Sequence, residues 1–355
     1  MGDQVLRVYT IDDSEDWDAI IQSFRDYDTY YLSGYVKAFR IHGDGEPLLF
    51  YYNDGTVKGI NVVMKRNIKD DPRFSDLPDD SYYDLSTPYG YGGWLIEKNG
   101  EDPADKSIGK LFYDYERWCI KHNVVSEFVR FHPMLGNEKT VERYYDVVQL
   151  GTVVHMDLSD PEAVWGNCSS KNRNVIRKAI KNDVKVYNGR CPEIFRQFRS
   201  IYNATMDKDN AEDYYYFGDE FYESICSDLE QHAQVFWAVK DDVIIAASIM
   251  LEANGFMNYH LSGSLREYSS LAPTNLILYK AALWGCAHGI RTLYLGGGVG
   301  SGEDSLFKFK RAFYKGELNH FHIGRKIFDR DKYDELTKMR GGSIENTGFF
   351  PVYRG

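Results

Sequence analysis

The sequence predicts an α/β (α+β) protein of two tandem units, each built on a mixed, largely antiparallel sheet. Three recurring segments predict it. A hairpin pattern occurs twice, in LLFYYNDGTVKGINVVMK (48–65) and VFWAVKDDVIIAASIML (235–251), where β-rich apolar runs flank Asn-Asp-Gly in one copy and Lys-Asp-Asp in the other. One further strand follows each hairpin, in SYYDLSTPYGYGGWL (81–95) and GFMNYHLSGS (255–264). A helix feeding a strand comes third, in SIGKLFYDYERWCIKHNVVSEFVRFHP (107–133) and NLILYKAALWGCAHGIRTLYLGGG (275–298).

The third pair aligns at a fixed offset: Trp118 with Trp284, His122 with His288, Asn123 with Gly289. Asn and Gly accept the left-handed turn that ends a helix. Apolar residues at 108, 111, 112, 115 and 118, and at 276, 279, 283 and 286, predict one helical stripe in each copy. The repeat divides the chain into a first unit over 1–155 and a second over 156–325. Residues 326–355 are a C-terminal tail expected to pack back on the first unit.

Bulk properties narrow the function. A net charge of −11 over 355 residues argues against a protein whose main task is coating nucleic acid. The 28 tyrosines suit a cleft for a sugar, base or peptide, since the ring is apolar and the hydroxyl bonds. Cys119, Cys168, Cys191, Cys226 and Cys286 contain no CxxC pair, as expected of reduced thiols. MGDQVLRVYT lacks a basic segment leading into an apolar one, and the longest apolar run (243–251) is too short to span a bilayer. A cytoplasmic protein is expected.

Hairpin, strand, helix, strand is the order of the GNAT acyltransferase fold, in which two central strands part to hold an acyl donor. Two such units in tandem resemble the Fem-type (FemABX) peptidyltransferases and the BioF2-like acetyltransferase domain. The markers are SSKNRNVIRKAIKNDVKV (169–186), PTNLILYKAALWGCAHG (273–289) and SLFKFKRAFYKGE (305–317), the last after a glycine-rich turn. The resemblance implies an N-acyltransferase. In this family a Lys directly after a Phe lies in the donor channel and steadies the acyl-transfer intermediate, and Phe309-Lys310 matches that motif. A fixed cation aimed at a developing oxyanion lowers the barrier to acyl transfer.

Further positions follow from the resemblance. Lys37, in YYLSGYVKAFR (30–40), occupies the place of a Lys that contacts the diphosphate of a UDP-linked cell-wall precursor. Tyr89 and Tyr91, in TPYGYGG (87–93), fall where family acceptor sites lie and suit stacking on a sugar. MDKDNAEDYYYF (206–217) occupies the stretch where the family uses an Arg; Lys208 and Tyr216 are the nearest substitutes. Tyr259 matches a strand Tyr near the family cleft and is the second catalytic candidate beside Lys310; His260 next to it is a candidate base, but alternation places the two on opposite sheet faces and Tyr259 is the one expected to face the cleft.

The stretch LYLGGGVGSGEDSLFKFKRAF (293–313) has the spacing of a phosphate loop at Gly297 and Gly302, but Glu303 and Asp304 stand where Lys and Ser/Thr are needed. It reads as a flexible turn, with Asp304 or Ser305 capping a helix that buries Leu306, Phe309 and Phe313. Two basic bands are either plain solvated faces, the more frequent meaning of such runs, or contacts for the phosphates of CoA or the acceptor end of a tRNA: residues 171, 173, 177, 178, 181 and 185, outside a stripe of Val175, Ile176, Ala179 and Ile180, and residues 308–330. His320 and His322 have no carboxylate or Cys at ligand spacing, so no metal is expected.

The stretch where acyl-CoA enzymes carry their pyrophosphate-binding turn, SGSLREYSSLAPTNL (262–276), lacks that motif, and Pro273 removes an N–H. This argues against CoA; the resemblance to the Fem-type enzymes implies aminoacyl-tRNA as donor, with no resident cofactor, and a UDP-linked muramyl peptide as acceptor. The alternatives are an acetyl-CoA-dependent enzyme acting on an amino sugar or a surface-polysaccharide precursor, and a binding module that has lost its chemistry.

Overall fold

The computed structural model describes residues 5–99, 105–341 and 348–355, so residues 342–347 of the expected tail lie outside the described residues. In chain order the strands are β1 (Leu6–Tyr9), β2 (Glu46–Asn53), β3 (Val57–Asn67), β4 (Tyr83–Ser86), β5 (Leu95–Lys98), β6 (Val124–Arg130), β7 (Asp146–Asp157), β8 (Lys185–Gly189), β9 (Ala233–Lys240), β10 (Val243–Ala253), β11 (Phe256–Ser264), β12 (Thr292–Gly296) and β13 (Asn319–Ile327). Two compact units result. Unit 1 runs to Leu150 and takes in Phe321–Gly355, and unit 2 is Gly151–His320. The first division falls inside β7, five residues before the boundary set by the repeat.

In unit 1, β2 and β3 form the expected hairpin, pairing from Glu46↔Lys65 to Asn53↔Lys58. The segment 81–95 does not make one strand. It breaks into β4, which runs parallel to β6, and a loop leading to β5, which pairs with β3. Pro88 and the glycines that follow explain the break, since Pro cannot donate to a ladder. The helix Asp105–Lys121 buries Ile108, Leu111, Phe112 and Tyr115 over this sheet, with Trp118 only half-buried. β13 closes the sheet antiparallel to β6.

Unit 2 repeats the plan. β9 and β10 make the hairpin, turning through Asp241 and Asp242 in left-handed conformation. β11 pairs antiparallel with β10, and β12 runs parallel to β11. The helix Pro273–Ala287 lies on the core of Met250, Met257 and Leu293. Its buried residues are Pro273, Leu276, Ile277, Leu278, Ala281, Ala282 and Gly285; of the expected stripe 276, 279, 283, 286 only Leu276 is buried and the other three are half-buried. The helix is apolar nearly all round, so periodicity cannot single out its inner face. Likewise Ile180 is 51% exposed, and Lys185 opens β8 rather than extending the basic helix Ser170–Lys181.

The aligned residues behave alike in both units. Trp118 stacks on His122 at 4.0 Å, and Trp284 on His288 at 3.8 Å. Each His Nδ1 lies 2.7 Å from the Trp backbone oxygen one turn back. Asn123 and Gly289 both take the left-handed conformation that ends the helix.

Within unit 1, the Tyr353 hydroxyl hydrogen-bonds with Ser126 (2.8 Å) and donates to Asp84 (3.2 Å), which are paired residues of β6 and β4. Asp84 is fully buried and also meets Arg66 (2.7 Å) and Arg354 (2.6 Å). No described helix is long and apolar enough to cross a membrane. Removing one partner of a buried ion pair typically costs about 3–5 kcal/mol. Asp84→Ala is expected to lose about that much, read as a lower urea midpoint at unchanged slope.

Candidate active site

In unit 2 the parallel ladder between β11 and β12 lasts three residue pairs, Phe256↔Thr292, Met257↔Leu293 and Asn258↔Tyr294. Beyond them the strands part. β11 stays with β10, to which Met250 pairs at Tyr259 and Ile249 at Leu261, so His260 is an extra residue in a bulge. β12 instead follows β7, ending at Gly296↔Val154. The result is a wedge with Tyr259–Ser264 on one side and Leu295–Gly297 on the other.

The glycine stretch begins at the end of β12 and delivers the helix Ser305–Arg311. Asp304 caps that helix: its Oδ1 accepts from Phe307 N (2.8 Å) and its Oδ2 from Val299 N (3.2 Å). These backbone donors hold the Asp304 carboxyl below its ordinary pKa. Two glycines are needed for the turn. Gly296 sits at φ +82°, where a Cβ would come 3.3 Å from the Lys310 ammonium. A Cβ on Gly298 would stand 2.1 Å from the Gly302 oxygen.

Lys310 is 9% exposed and donates from Nζ to the Gly297 backbone oxygen at 2.7 Å. Burial pushes its pKa down to about 8, with Asp304 pulling the other way. Phe309 packs half-buried against the unit 2 core. The buried residues of this short helix are Phe307 and Lys310, with Phe313 just beyond it, while Leu306 is 37% exposed, contrary to the stripe expected from the sequence. Because Lys310 is buried, the basic band expected over 308–330 loses that member at the surface.

The three sequence markers meet around this helix. Ser169 N donates to Ala312 O (2.8 Å), Asn172 Nδ2 reaches the same oxygen (3.4 Å), and Asn275 Nδ2 donates to Asn172 Oδ1 (2.8 Å). Asn172 and Asn275 are positioning residues that motif reading passed over, although both stand inside the quoted markers.

Tyr259 packs half-buried against the unit 2 core rather than standing free in the wedge, and burial raises its pKa, opposed by the neighbouring Ser262 and Ser248 hydroxyls. His260 is driven by burial to a pKa of about 3, so it is a neutral imidazole at physiological pH. Lys208 is exposed at the end of the helix Pro192–Asp209 and pairs with Asp209 (3.3 Å). Tyr216 donates to Asp207 in that same turn (2.8 Å), so these two candidates are neighbours.

In unit 1 the equivalent wedge is closed. Past Ser86↔Phe128, Thr87 N donates to Phe128 O (3.0 Å) and Gly92 N to Arg130 O (2.8 Å). Tyr89 stacks on Phe39 at 5.4 Å, and Tyr91 lies against Tyr30, His132 and Phe321 at 5.5–5.8 Å. Lys37 is exposed on the helix Ser33–His42, which also supplies Tyr35 and Phe39. Unit 1 therefore gathers Tyr89, Tyr91 and the helix bearing Lys37 around one aromatic cluster. Among the described residues no group of three or more His, Cys, Asp or Glu is placed to hold a metal.

Lys310 makes stability depend on pH in a defined direction. The unfolded chain keeps this proton up to about 10.5 and the folded chain releases it near 8. Between those values the unfolded state binds more protons, so stability rises with pH, by up to about 3 kcal/mol for a gap of this size. Urea unfolding at pH 7.5 and 10.5 should show that rise in the native chain relative to Lys310→Met.

A family model for the GNAT acetyltransferase domain matches residues 170–311. Among solved structures the chain is similar to FemX, with a TM-score of 0.67 at 13% identity, covering 94% of this chain and 99% of that one. It is also similar to a conserved protein of unknown function from Bacteroides thetaiotaomicron (TM-score 0.58, 12% identity, 90% and 99% covered). A third is the C-terminal DUF2156 domain of an Agrobacterium fabrum protein described as a lysylphosphatidylglycerol synthetase (TM-score 0.54, 12% identity, 88% and 91% covered). At these identities the likeness is one of fold. No curated protein sequence matches the chain. The chain thus carries a match to the GNAT acetyltransferase domain over residues 170–311, within its second unit, and shares its fold with FemX.

Proposed function

We propose that this protein transfers an aminoacyl group from aminoacyl-tRNA to an amine of a peptidoglycan precursor, a UDP-linked muramyl peptide. One observation carries the reading: a buried lysine with a pKa of about 8 stands at the open end of the wedge, anchored by a single backbone oxygen. An ammonium has three donors. With one on Gly297, the others serve the carbonyl oxygen of an ester drawn into the wedge. The acceptor nitrogen attacks that carbonyl carbon, negative charge gathers on the oxygen, and the bond to the tRNA ribose oxygen then breaks. An amide and a free ribose hydroxyl result, and the surplus amine proton leaves for solvent or the departing oxygen.

Aminoacyl-tRNA is favoured as donor by the segment between β11 and the next helix. Residues Arg266–Leu271 form a 3₁₀ turn, Ala272 is left-handed, and Pro273 opens the helix without an N–H. A pyrophosphate cradle needs a run of free N–H groups at that helix start. On the acceptor side, Lys37 is assigned to the diphosphate, Tyr89 and Tyr91 to the sugar, and Lys208 and Tyr216 to the peptide. The second reading, an acetyl-CoA-dependent N-acetyltransferase acting on an amino sugar or surface-polysaccharide precursor, is favoured by the acetyltransferase description of the matched domain.

Titration of acetyl-CoA in a calorimeter separates the two. The first reading expects no saturable heat, together with transfer of labelled amino acid from charged tRNA to the muramyl peptide. One-site binding of acetyl-CoA would favour the second. Losing a preorganised oxyanion donor costs about 10²–10³ in kcat, and Lys310→Met is expected to lose that much in either case. The cation is needed, so kcat of the native chain should fall as pH rises through about 8. Lys310→Arg, which stays charged, should lack that limb; unchanged kcat in Lys310→Met would overturn the catalytic assignment.

A further inference from the structure

In unit 2 the helices Pro192–Asp209 and Asp219–Asp228 lie side by side, with a cavity of about 370 Å³ between them. Arg199 and Asp219 form an ion pair at one end, and Pro192 and Cys226 line the other. The same number of residues separates the two ends on each helix, so both advance about 10 Å, in opposite directions. Cys226 therefore stands level with the start of the first helix, where Cys191 is the N-cap residue.

Hydrogen bonding fixes the two cysteines near each other. Cys226 Sγ donates to the Arg190 backbone oxygen at 3.5 Å. In a trans peptide that oxygen stands about 2.8 Å from the next Cα, so Cys226 Sγ lies within about 6 Å of Cys191 Cα. A disulfide joins Cα atoms about 5.5–6 Å apart, a span within reach of this placement. The chain before Cys191 is held in position: Arg190 donates to Glu230 O (3.0 Å) and pairs with Glu252. The two thiols differ in access. Cys191 is exposed, while Cys226 is half-buried, and burial, followed by the neighbouring Cys191 thiol, raises its pKa. Cys119 and Cys168, by contrast, are sealed in hydrophobic cores.

We propose that Cys191 and Cys226 are a dithiol–disulfide pair, oxidised by exchange with a low-molecular-weight disulfide. The exposed Cys191, as thiolate, attacks one sulfur of that molecule and expels one small thiolate, leaving a mixed disulfide on Cys191. Cys226 then turns from the Arg190 oxygen, attacks Cys191 Sγ and expels the second. Each step breaks one sulfur–sulfur bond and forms another. The small disulfide is reduced to two thiols, which take up the two protons released by the cysteines. The product staples the start of one helix to the end of the other. Neither cysteine belongs to the Lys310 assembly, so the pairing stands apart from the acyl-transfer reading.

Oxidised glutathione added to the folded full chain tests this. Mass spectrometry should find the chain lighter by two hydrogens, with the peptides that hold Cys191 and Cys226 linked. The melting temperature should rise by about 5–10 °C for a closed loop of this length. Dithiothreitol should reverse both changes. Cys226→Ser should retain a glutathione adduct on Cys191, and Cys191→Ser should show neither the link nor the melting shift. A lasting adduct on Cys191 of the native chain with Cys226 still free would overturn the proposal. So would a melting shift that persists in Cys191→Ser, or failure of the folded chain to react at either thiol.

Discussion

The site depends on where a parallel ladder stops. Buried backbone N–H and C=O groups must find partners, so two strands can separate inside a sheet only if each has somewhere else to go. Past Asn258 and Tyr294, β11 keeps its bonds to β10 by admitting His260 as a bulge, and β12 keeps its bonds to β7. The wedge is the geometric residue of those two commitments. In unit 1 the same two strands stay joined, because the loop after β4 turns back and Gly92 rejoins β6 at Phe131. Asn137 secures the return by donating to Gly92 O and Trp94 O. Two units of one plan thus differ in whether the wedge opens, through a few backbone hydrogen bonds.

Burying Lys310 at the end of the wedge carries an electrostatic cost that the fold offsets only in part. Desolvation disfavours the ammonium, and a deeply buried amine with no partner loses its proton altogether. Here the Gly297 oxygen and the nearby Asp304 carboxylate hold the balance close to neutrality. Such a group is charged when negative charge develops beside it, yet weakly enough solvated to interact strongly. The helix that carries it is short, and it is fixed from outside, by Asp304 at its start and by Ser169 and Asn172 on Ala312 just past its end. A seven-residue helix would not hold a charge in register through its own propensity.

What the sequence disclosed and what it hid follow a physical line. The hairpins and the Trp-His pairs were legible because short-range pattern and turn chemistry decide them. The fold of the second unit was legible through the marker segments. The inner faces of helices were less legible. In Ser170–Lys181 and Ser305–Arg311 the apolar residues outnumber the buried places, so Ile180 and Leu306 are left outside while Phe307 goes in. The Asn172–Asn275 contact joins residues 103 apart in the chain, and no local pattern announces such a pair. The break between β4 and β5 was signalled by Pro88 and the glycines, but their outcome depended on Asn137.

The glycine stretch after β12 shows why composition alone misleads at such a turn. Gly-rich loops that bind phosphate present several unspent N–H groups to an anion. Here Val299 N and Phe307 N, donors of the kind a phosphate would claim, already serve the two oxygens of Asp304. Gly297 offers its carbonyl, not its N–H, to the nearest cation. An incoming phosphate would have to displace a carboxylate of the same charge that is bound within the chain at no cost in translational entropy. The turn therefore carries its own anion, and that anion caps the helix and holds the charge on Lys310. The same glycines that would open a loop to a nucleotide here let the backbone close on a lysine.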